Sequence, residues 1–212
     1  MRILFSGDFG PDEKAFHADP EGPSGIDHLL VESTYGDRDR EDTTLEQRLS
    51  RLEAEVRDAL AAGGNLLIPA FAVERTQEVR DGLAKLMRDG RVPRATIYID
   101  SPLARDVTRV FAEHGARLFD GADVRFTETV AESKAINAIR GGAIVMAASG
   151  MCEAGRIRHH LKNNLWKPEA TVLFVGYQAP GSLGQLIQSG EPRVRIEGDE
   201  IAVKARIRAI DS

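Results

Sequence analysis

Short apolar runs alternate with amphipathic helical segments along most of this chain, and this alternation restricts the fold more than any other feature. The runs at 66–68, 96–99, 143–146 and 171–175 have the length and flanking residues of short buried strands. Helical periodicity fills the segments between them. Strands separated by helices form βαβ units, because a right-handed crossover packs each helix onto a face of a parallel sheet. The sequence therefore predicts an α/β fold with a doubly wound parallel sheet.

Local signals predict where several helices begin. Ser101 followed by Pro102 is typical of an N-cap and a first helical position, since the hydroxyl can accept from the first turn. Thr129 and Glu132 have the spacing of a capping box. Asp100 ends the strand before this first cap. It is interpreted as shaping the turn, and a place in a cleft is the alternative.

Three other segments are assigned from composition and patterning. The stretch at 11–25 is rich in proline and glycine, which indicates a long surface loop. Residues 37–42 form a charged connector and a candidate domain boundary. Near the end of the chain, apolar and polar residues alternate at 194–196 and again at 201–207. This pattern predicts two antiparallel strands around residues 198–199.

Two acids near the start of the chain lie just after apolar runs. Residues 3–5 lead into Asp8 and residues 29–31 lead into Glu32, and turn residues follow each acid. A short buried strand that delivers an acid to its carboxyl end is how α/β enzymes place metal ligands and bases. Asp8 and Glu32 are therefore candidate catalytic residues. The alternative is that one is a turn residue and the other the neighbour of a helix cap.

A strand, a turn of small residues and a helix follow one another around residue 150. The turn contains Ser149 and Gly150, and free N–H groups at the start of the next helix form a cradle for an anion. Arg156, His159 and His160 add donors that suit phosphate. These five residues are candidate substrate-binding residues. The alternative is a solvated basic helix face in which a histidine packs or caps the helix.

Composition limits the class of protein. A formal net charge of −5 provides no overall basic field, so any contact with nucleic acid has to be local. Cys152 is the only cysteine, which excludes a disulfide within the chain and indicates a reducing cytoplasm. No apolar run approaches the length of a membrane span, so no membrane partner is expected.

Six strings in a fixed order carry a resemblance to a known family. They are SGDFG at 6–10, ESTYGDR at 32–38, IPAFAVERTQE at 68–78, DSPLA at 100–104, SGMCEAGRIRHHL at 149–161 and GYQAPGSLG at 176–184. Together they resemble the β-CASP family of metallo-β-lactamase-fold RNA nucleases, which includes the pre-mRNA 3′-end cleavage endonuclease and ribonuclease J. The resemblance implies a Rossmann-like parallel sheet, the β-CASP domain, inserted in a partial metallo-β-lactamase fold.

The resemblance also implies roles and partners. The aspartate of the first family string bridges two zinc ions, and the glutamate of the second supports the catalytic centre, so these roles fall on Asp8 and Glu32. The cofactor implied is Zn²⁺, two per complete site, and the partner implied is RNA. The inserted domain would close over the metal cleft as a lid. The number of copies in the assembly is left open, and a homodimer is one of the options.

Two strings of the family do not occur in the chain. The zinc-binding H-x-H-x-D-H string belongs upstream of the first string, and an S-A-H-A-D string would begin about where the chain ends. We therefore expect the chain to be an internal piece of a longer enzyme. This piece alone is expected to be inactive. Residues 1–42 are assigned to a remnant of the metallo-β-lactamase domain and 43–170 to the β-CASP domain. Residues 171–212 are assigned to a return segment and the start of the RNA-specificity or metallo-β-lactamase C-terminal part.

Three classes of function remain open from the sequence. The first is part of a zinc-dependent RNA-processing hydrolase that cleaves phosphodiester bonds, in which the chain supplies a substrate-gripping lid and part of the metal cleft. The second is a non-catalytic RNA-binding or assembly subunit with the same fold. The third is a nucleotide-binding α/β domain, indicated by the glycine turns alone, without a G-x-G-x-x-G or G-K-[ST] string. The presence of both Asp8 and Glu32 favours the first class.

Overall fold

The computed structural model of the chain describes residues 1–8, 16, 19, 21–36, 44–114, 118 and 122–210. The chain divides into two compact units, Met1–Arg48 and Leu49–Ser212. The predicted connector at 37–42 and much of the predicted loop at 11–25 lie outside the described residues. The domain assignments with boundaries after residues 42 and 170 stay predictions.

The first unit contains two short parallel strands, β1 (Ile3–Phe5) and β2 (His28–Leu30). The amide of Ser6 donates to the carbonyl of the last residue of β2, N···O 2.9 Å, and so continues the pairing beyond β1. Parallel strands release the chain at the same edge of a sheet. The prediction that Asp8 and Glu32 come after strands is confirmed. The expectation that these strands are buried is wrong for the described part of the chain, since β1 and β2 form a two-stranded sheet with mostly exposed side chains.

Strands and helices alternate from residue 45 onward. In chain order they are α1 (Leu45–Ala61), β3 (Leu66–Pro69), α2 (Arg75–Arg88), β4 (Thr96–Ile99), α3 (Pro102–Glu113), β5 (Asp123–Phe126), α4 (Val130–Ile136), β6 (Ile144–Ala147), α5 (Ile157–Asn164), β7 (Thr171–Phe174), α6 (Leu183–Gln188), β8 (Arg193–Ile196), β9 (Asp199–Ala202) and β10 (Arg206–Ala209). Six strands form one sheet in the order β10-β7-β3-β6-β4-β5, with every neighbouring pair parallel. The predicted α/β fold with a parallel sheet is confirmed. Among the helices that the structure describes, none is long and apolar enough to cross a membrane.

Both faces of this sheet are covered by helices. Successive side chains of a strand point to opposite faces, so Ile68 and Leu67 of β3 enter different cores. Ile68 belongs to the core that includes Val56 of α1 and Leu83 of α2. Leu67 belongs to the core that includes Leu161 of α5. The central strands are apolar on both faces because both faces are buried.

The order of the strands places a topological switch point at the carboxyl edge of the sheet. The chain leaves β3 through α2 on one face and leaves β6 through α5 on the other. Because β3 and β6 are neighbours, the loops that follow them, 70–74 and 148–156, diverge toward opposite faces. Open α/β sheets bind ligands at such switch points. We call the surface formed by these two loops the switch crevice.

Strands β5 and β10 differ from the sequence predictions. β5 was not predicted, because its burial alternates weakly and charged side chains interrupt a short edge strand. β8 and β9 form the predicted antiparallel hairpin. The prediction of one strand at 201–207 is wrong, since β9 ends at Ala202 and β10 pairs in parallel with β7. The amide of Ala205 donates to the carbonyl of Leu165, N···O 2.9 Å, and this bond directs the chain back to the main sheet.

Periodicity predicts helices that begin at residues 73 and 154, whereas α2 begins at Arg75 and α5 at Ile157. The reason is a left-handed backbone just before each helix, at Glu74 with φ 65° and at Gly155 with φ 79°. Gly155 also has no room for a side chain. A Cβ atom there would lie 2.3 Å from the carbonyl oxygen of Ala148.

Candidate functional site

Polar side chains from distant segments meet at the carboxyl ends of β6, β4 and β5. Asp100 follows β4 directly, Thr127 follows β5, and Arg156 lies just ahead of α5. Ser133 of α4 and His160 of α5 reach the same place. We call these five residues the carboxylate network.

Asp100 is the centre of the carboxylate network and is fully buried. Its Oδ1 accepts from Arg156 Nη1 at 2.6 Å and from the hydroxyl of Thr127. Its Oδ2 accepts from His160 Nε2 at 2.6 Å and from Ser133 Oγ at 2.5 Å. Four donors therefore satisfy both oxygens, which is what burial of a carboxylate requires.

Two opposing effects act on the pKa of Asp100. Burial raises the pKa, because a low-dielectric site disfavours the charged form. Hydrogen bonds from His160 and the three other donors favour the charged form and outweigh burial, so the pKa lies well below its ordinary value of 3.8. Asp100 is therefore ionised at neutral pH, and His160 Nε2 carries the proton of their shared hydrogen bond.

Arg156 and His160 make further contacts inside the protein. Arg156 donates from Nη1 to Thr127 Oγ1 at 3.2 Å and from Nη2 to the carbonyl of Glu128 at 3.1 Å. His160 Nδ1 lies 3.0 Å from Oδ1 of Asn137. The His160 side chain is 1% exposed and that of Arg156 is 20% exposed. Contact of both residues with phosphate stays a prediction, and only Arg156 has a substantial surface toward solvent.

The turn at 149–155 is closed by its own hydrogen bonds. The amide of Ser149 donates to the carbonyl of Ala154 at 3.0 Å, and the amide of Ala154 donates to the hydroxyl of Ser149 at 3.3 Å. Gly150 is buried, and its carbonyl accepts from Gln178 Nε2 at 3.0 Å. The structure thus places the predicted Ser149 and Gly150 in one wall of the switch crevice, with Ser149 the more exposed of the two.

Two basic side chains of α5 lie against acids. His159 Nδ1 lies 3.3 Å from Oε1 of Glu197, and Lys162 Nζ lies 2.5 Å from Oδ2 of Asp199. Both acids come from the β8–β9 hairpin, which therefore offsets part of the positive charge that the sequence indicated. His159 is exposed. Its contact with phosphate stays a prediction.

In the first unit, Glu32 is held by its near neighbour. Glu32 Oε2 accepts from the amide of Thr34 at 2.9 Å and from its hydroxyl at 2.7 Å, and these bonds lower the pKa of Glu32 below its ordinary value of 4.5. The amide of Glu32 donates to Ser6 Oγ at 3.0 Å, which joins the first two family strings. Asp8 is exposed. The catalytic roles of both acids stay predictions.

The described residues do not assemble a metal centre. In the ranges that the structure covers, no group of three or more His, Cys, Asp or Glu side chains could hold a metal ion. A zinc pair needs several imidazole and carboxylate ligands. The part of the chain described here therefore does not fit a zinc pair, and Asp8 stays a single predicted ligand.

Sequence reasoning did not identify the carboxylate network. Asp100 was interpreted as shaping a turn, with a place in a cleft as the alternative, and none of its partners was identified. Its four donors lie 27, 33, 56 and 60 residues away along the chain, so no local pattern reveals them. The only available signal was that Asp100 and Arg156 both lie in family strings.

Comparisons with known proteins agree with the motifs. A family model described as the Beta-Casp domain matches residues 76–187. Ribonuclease TTHA0252 of Thermus thermophilus is 40% identical over 98% of this chain and 51% of its own length. Transcription termination factor FttA of Pyrococcus abyssi is 32% identical over 88% of this chain and 32% of its own length. An RNase J-like protein of Methanocaldococcus jannaschii is 27% identical over 99% of this chain and 51% of its own length. The chain thus spans about half the length, or less, of the curated relatives it matches.

Proposed function

The chain belongs to the β-CASP family of metallo-β-lactamase-fold proteins, and from this premise we propose that it works in an RNA-processing nuclease. The proposed activity is zinc-dependent hydrolysis of phosphodiester bonds in RNA, in the cytoplasm. This chain supplies the surface that grips the substrate and part of the metal cleft. The ribonuclease and termination-factor names of the relatives support RNA as the substrate.

The observation that carries the proposal is the switch crevice. Its two walls are the loops after β3 and β6, and both loops lie in family strings, 68–78 and 149–161. The carboxylate network holds Arg156 at the end of the second wall. A rigid edge with polar groups and backbone donors suits a ligand with a phosphate backbone.

We assign the substrate-binding residues according to their exposure. Ser149 and Arg156 are proposed to contact phosphate directly, since a guanidinium has five N–H donors and can serve Asp100 and a phosphate together. Gly150 allows the second wall to pack closely, and His159 makes a weaker contact because it is already paired. His160 acts through the carboxylate network, which it helps to hold.

Asp8 is proposed as a zinc ligand and Glu32 as an acid that supports catalysis. Zinc, where it is bound, supplies a hydroxide nucleophile at neutral pH. Since the described residues do not provide the other ligands, no step of the reaction is assigned to them. The proposal for this chain is therefore mainly one of substrate binding.

RNA binding measured at several salt concentrations tests the proposal. We expect the chain to bind single-stranded RNAs of different sequence with similar affinity, because phosphate contacts do not distinguish bases. Arg156→Ala should weaken all of them about equally and reduce the salt slope by about one, which is the loss of one phosphate contact. Arg109→Ala, which removes an exposed arginine of α3, is the matched control.

A second variant separates binding from folding. Arg156 also holds Asp100, so thermal unfolding is measured for each variant. Ser149→Ala leaves the carboxylate network intact and should weaken RNA binding several-fold. If wild type, Arg156→Ala and Ser149→Ala had the same affinity and the same salt slope, this turn would not be the RNA contact.

A further inference from the structure

Phe71 stands exposed in the first wall of the switch crevice. Its side chain is 44% exposed, although it lies only two residues after the end of the buried strand β3 and precedes α2. Single exposed apolar side chains are common on protein surfaces, so exposure alone assigns no role to this ring. The position of the ring against the turn at 149–155 is the observation that points to binding.

The backbone that carries Phe71 is fixed by side chains of α2. Thr76 donates to the Phe71 carbonyl from its hydroxyl at 2.7 Å and from its amide at 3.2 Å. Gln77, which is fully buried, donates from Nε2 to the carbonyl of Ala72 at 3.1 Å. Because these donors hold the loop in place, the ring is presented without a large cost in backbone entropy on binding.

The other wall of the switch crevice supports the ring. A Cβ atom at Gly150 would lie 2.8 Å from two carbons of the Phe71 ring, closer than real Cβ contacts allow. Glycine is needed at this position for close approach rather than for an unusual backbone angle, since its φ is not positive. One edge of the ring therefore rests on the turn that carries Ser149, and the remainder faces solvent.

From these contacts we propose that Phe71 is a stacking site for an unpaired nucleobase of RNA. Nucleotides combine an apolar base with an anionic phosphate, and here an exposed ring adjoins a turn with phosphate-binding groups. Lys162 of α5 is already paired with Glu197 and Asp199, so stacking supplies binding that electrostatic attraction does not. Stacking of bases on aromatic rings is tolerant of sequence. This inference rests on the proposed function, because it takes RNA as the ligand.

Substitutions of Phe71 that change aromaticity test the inference. The probes are fluorescent 12-nucleotide RNAs, oligo(A) and oligo(U), with binding followed by anisotropy. Phe71→Leu keeps an apolar side chain and should weaken binding roughly 5- to 100-fold, the range for loss of one stacked base. Phe71→Trp should keep or increase affinity. Val73→Ala, which shortens a 57% exposed neighbour in the same loop, is the control and should bind like wild type.

Salt dependence and an abasic probe identify the kind of contact. Stacking neutralises no phosphate, so Phe71→Leu should shift the salt titration without changing its slope. RNA made entirely of abasic nucleotides should bind wild type and Phe71→Leu equally. Gly150→Ala should displace the ring and weaken oligo(A) binding in wild type, but have much less effect in a Phe71→Ala background.

The outcomes separate this inference from the proposed function. If wild type bound none of the RNAs, the proposed function and the stacking site would both be wrong. If wild type bound RNA but Phe71→Leu bound equally well, only the stacking site would be wrong. Equal weakening by Phe71→Leu and Val73→Ala would also contradict stacking, since it would indicate a general apolar contact.

Discussion

Two carboxylates that come after strands have opposite surroundings. Glu32, after β2 in the first unit, accepts hydrogen bonds from Thr34, two residues further along the chain. Asp100, after β4 in the second unit, is fully buried and accepts from four side chains that come from other segments. The same local pattern, an apolar run that ends near an acid, thus leads to one acid with a local partner and one acid held by the tertiary fold.

The difference lies in how much of the fold depends on each charge. A buried charge with several partners cannot be altered without leaving other polar groups unsatisfied. An acid held by one neighbour can be changed at small cost to the fold, which is the situation expected of a residue that acts on substrate. The comparison therefore assigns Asp100 to structure and leaves Glu32 available for chemistry.

Asp100→Asn should have the largest effect on stability. The substitution removes the only negative charge of the network and leaves the partly buried Arg156 guanidinium and the buried His160 without their anionic partner. We expect a loss of about 3–5 kcal/mol in the free energy of unfolding, the range for breaking a buried ion pair. Urea unfolding followed by circular dichroism measures it. Asp123→Asn, the same change at an exposed aspartate of β5, should have little effect.

The pH dependence of the unfolding free energy provides a second test of Asp100→Asn. The folded pKa of Asp100 lies below its ordinary value, so its contribution to stability is complete above about pH 4 and is lost as the pH falls further. Asp100→Asn should therefore flatten the decline in unfolding free energy between about pH 4 and pH 2. An unchanged decline would mean that other acids dominate acid unfolding.

Ser133→Ala should have an intermediate effect. It removes one of the four donors to Asp100 and leaves the ion pair with Arg156 in place. We expect a loss of about 1–2 kcal/mol in unfolding free energy, the cost of a missing hydrogen bond to a buried group. The pKa of Asp100 should rise toward its ordinary value. Ser189→Ala, which removes an exposed hydroxyl at the end of α6, is the control. It should change the unfolding free energy very little.

Glu32→Gln should have the smallest effect on folding. The side chain keeps an oxygen for Thr34, so the midpoint of thermal unfolding should not change measurably. In a nuclease that carries a complete metal site, cleavage should slow by about 100-fold, within the range for an acid that assists proton transfer. A destabilisation as large as that of Ser133→Ala would make Glu32 a structural residue and remove the contrast with Asp100.

Features with local causes could be predicted from the sequence. Ser101 accepts from the amide of Ala104 at 3.2 Å, as its position before Pro102 indicated. Thr129 and Glu132 form the predicted capping box. Cys152 is buried, as cysteine side chains usually are, and burial raises the pKa of its thiol to about 12. Each depends on neighbours in the sequence or on a simple preference for the interior.

Features that depend on distant partners could not be predicted. Alternation identified the apolar positions at 201–207, but a period of two does not specify which strand is the partner, so β10 was assigned to the wrong sheet. His160 follows a basic pattern that is typical of a solvated face, yet it lies against Asp100, which is 60 residues earlier. The family strings supplied the fold and the segments of the site, and only the structure shows which side chains meet.

The contact between Gly150 and Phe71 has a consequence for related sequences. A Cβ atom at position 150 would come within 2.8 Å of the aromatic ring at position 71, so any side chain there would force the ring to move. These two positions, far apart in the chain, are therefore expected to vary together. Homologues with alanine or serine at the first should have a small or flexible residue at the second, and homologues that keep the aromatic ring should keep the glycine.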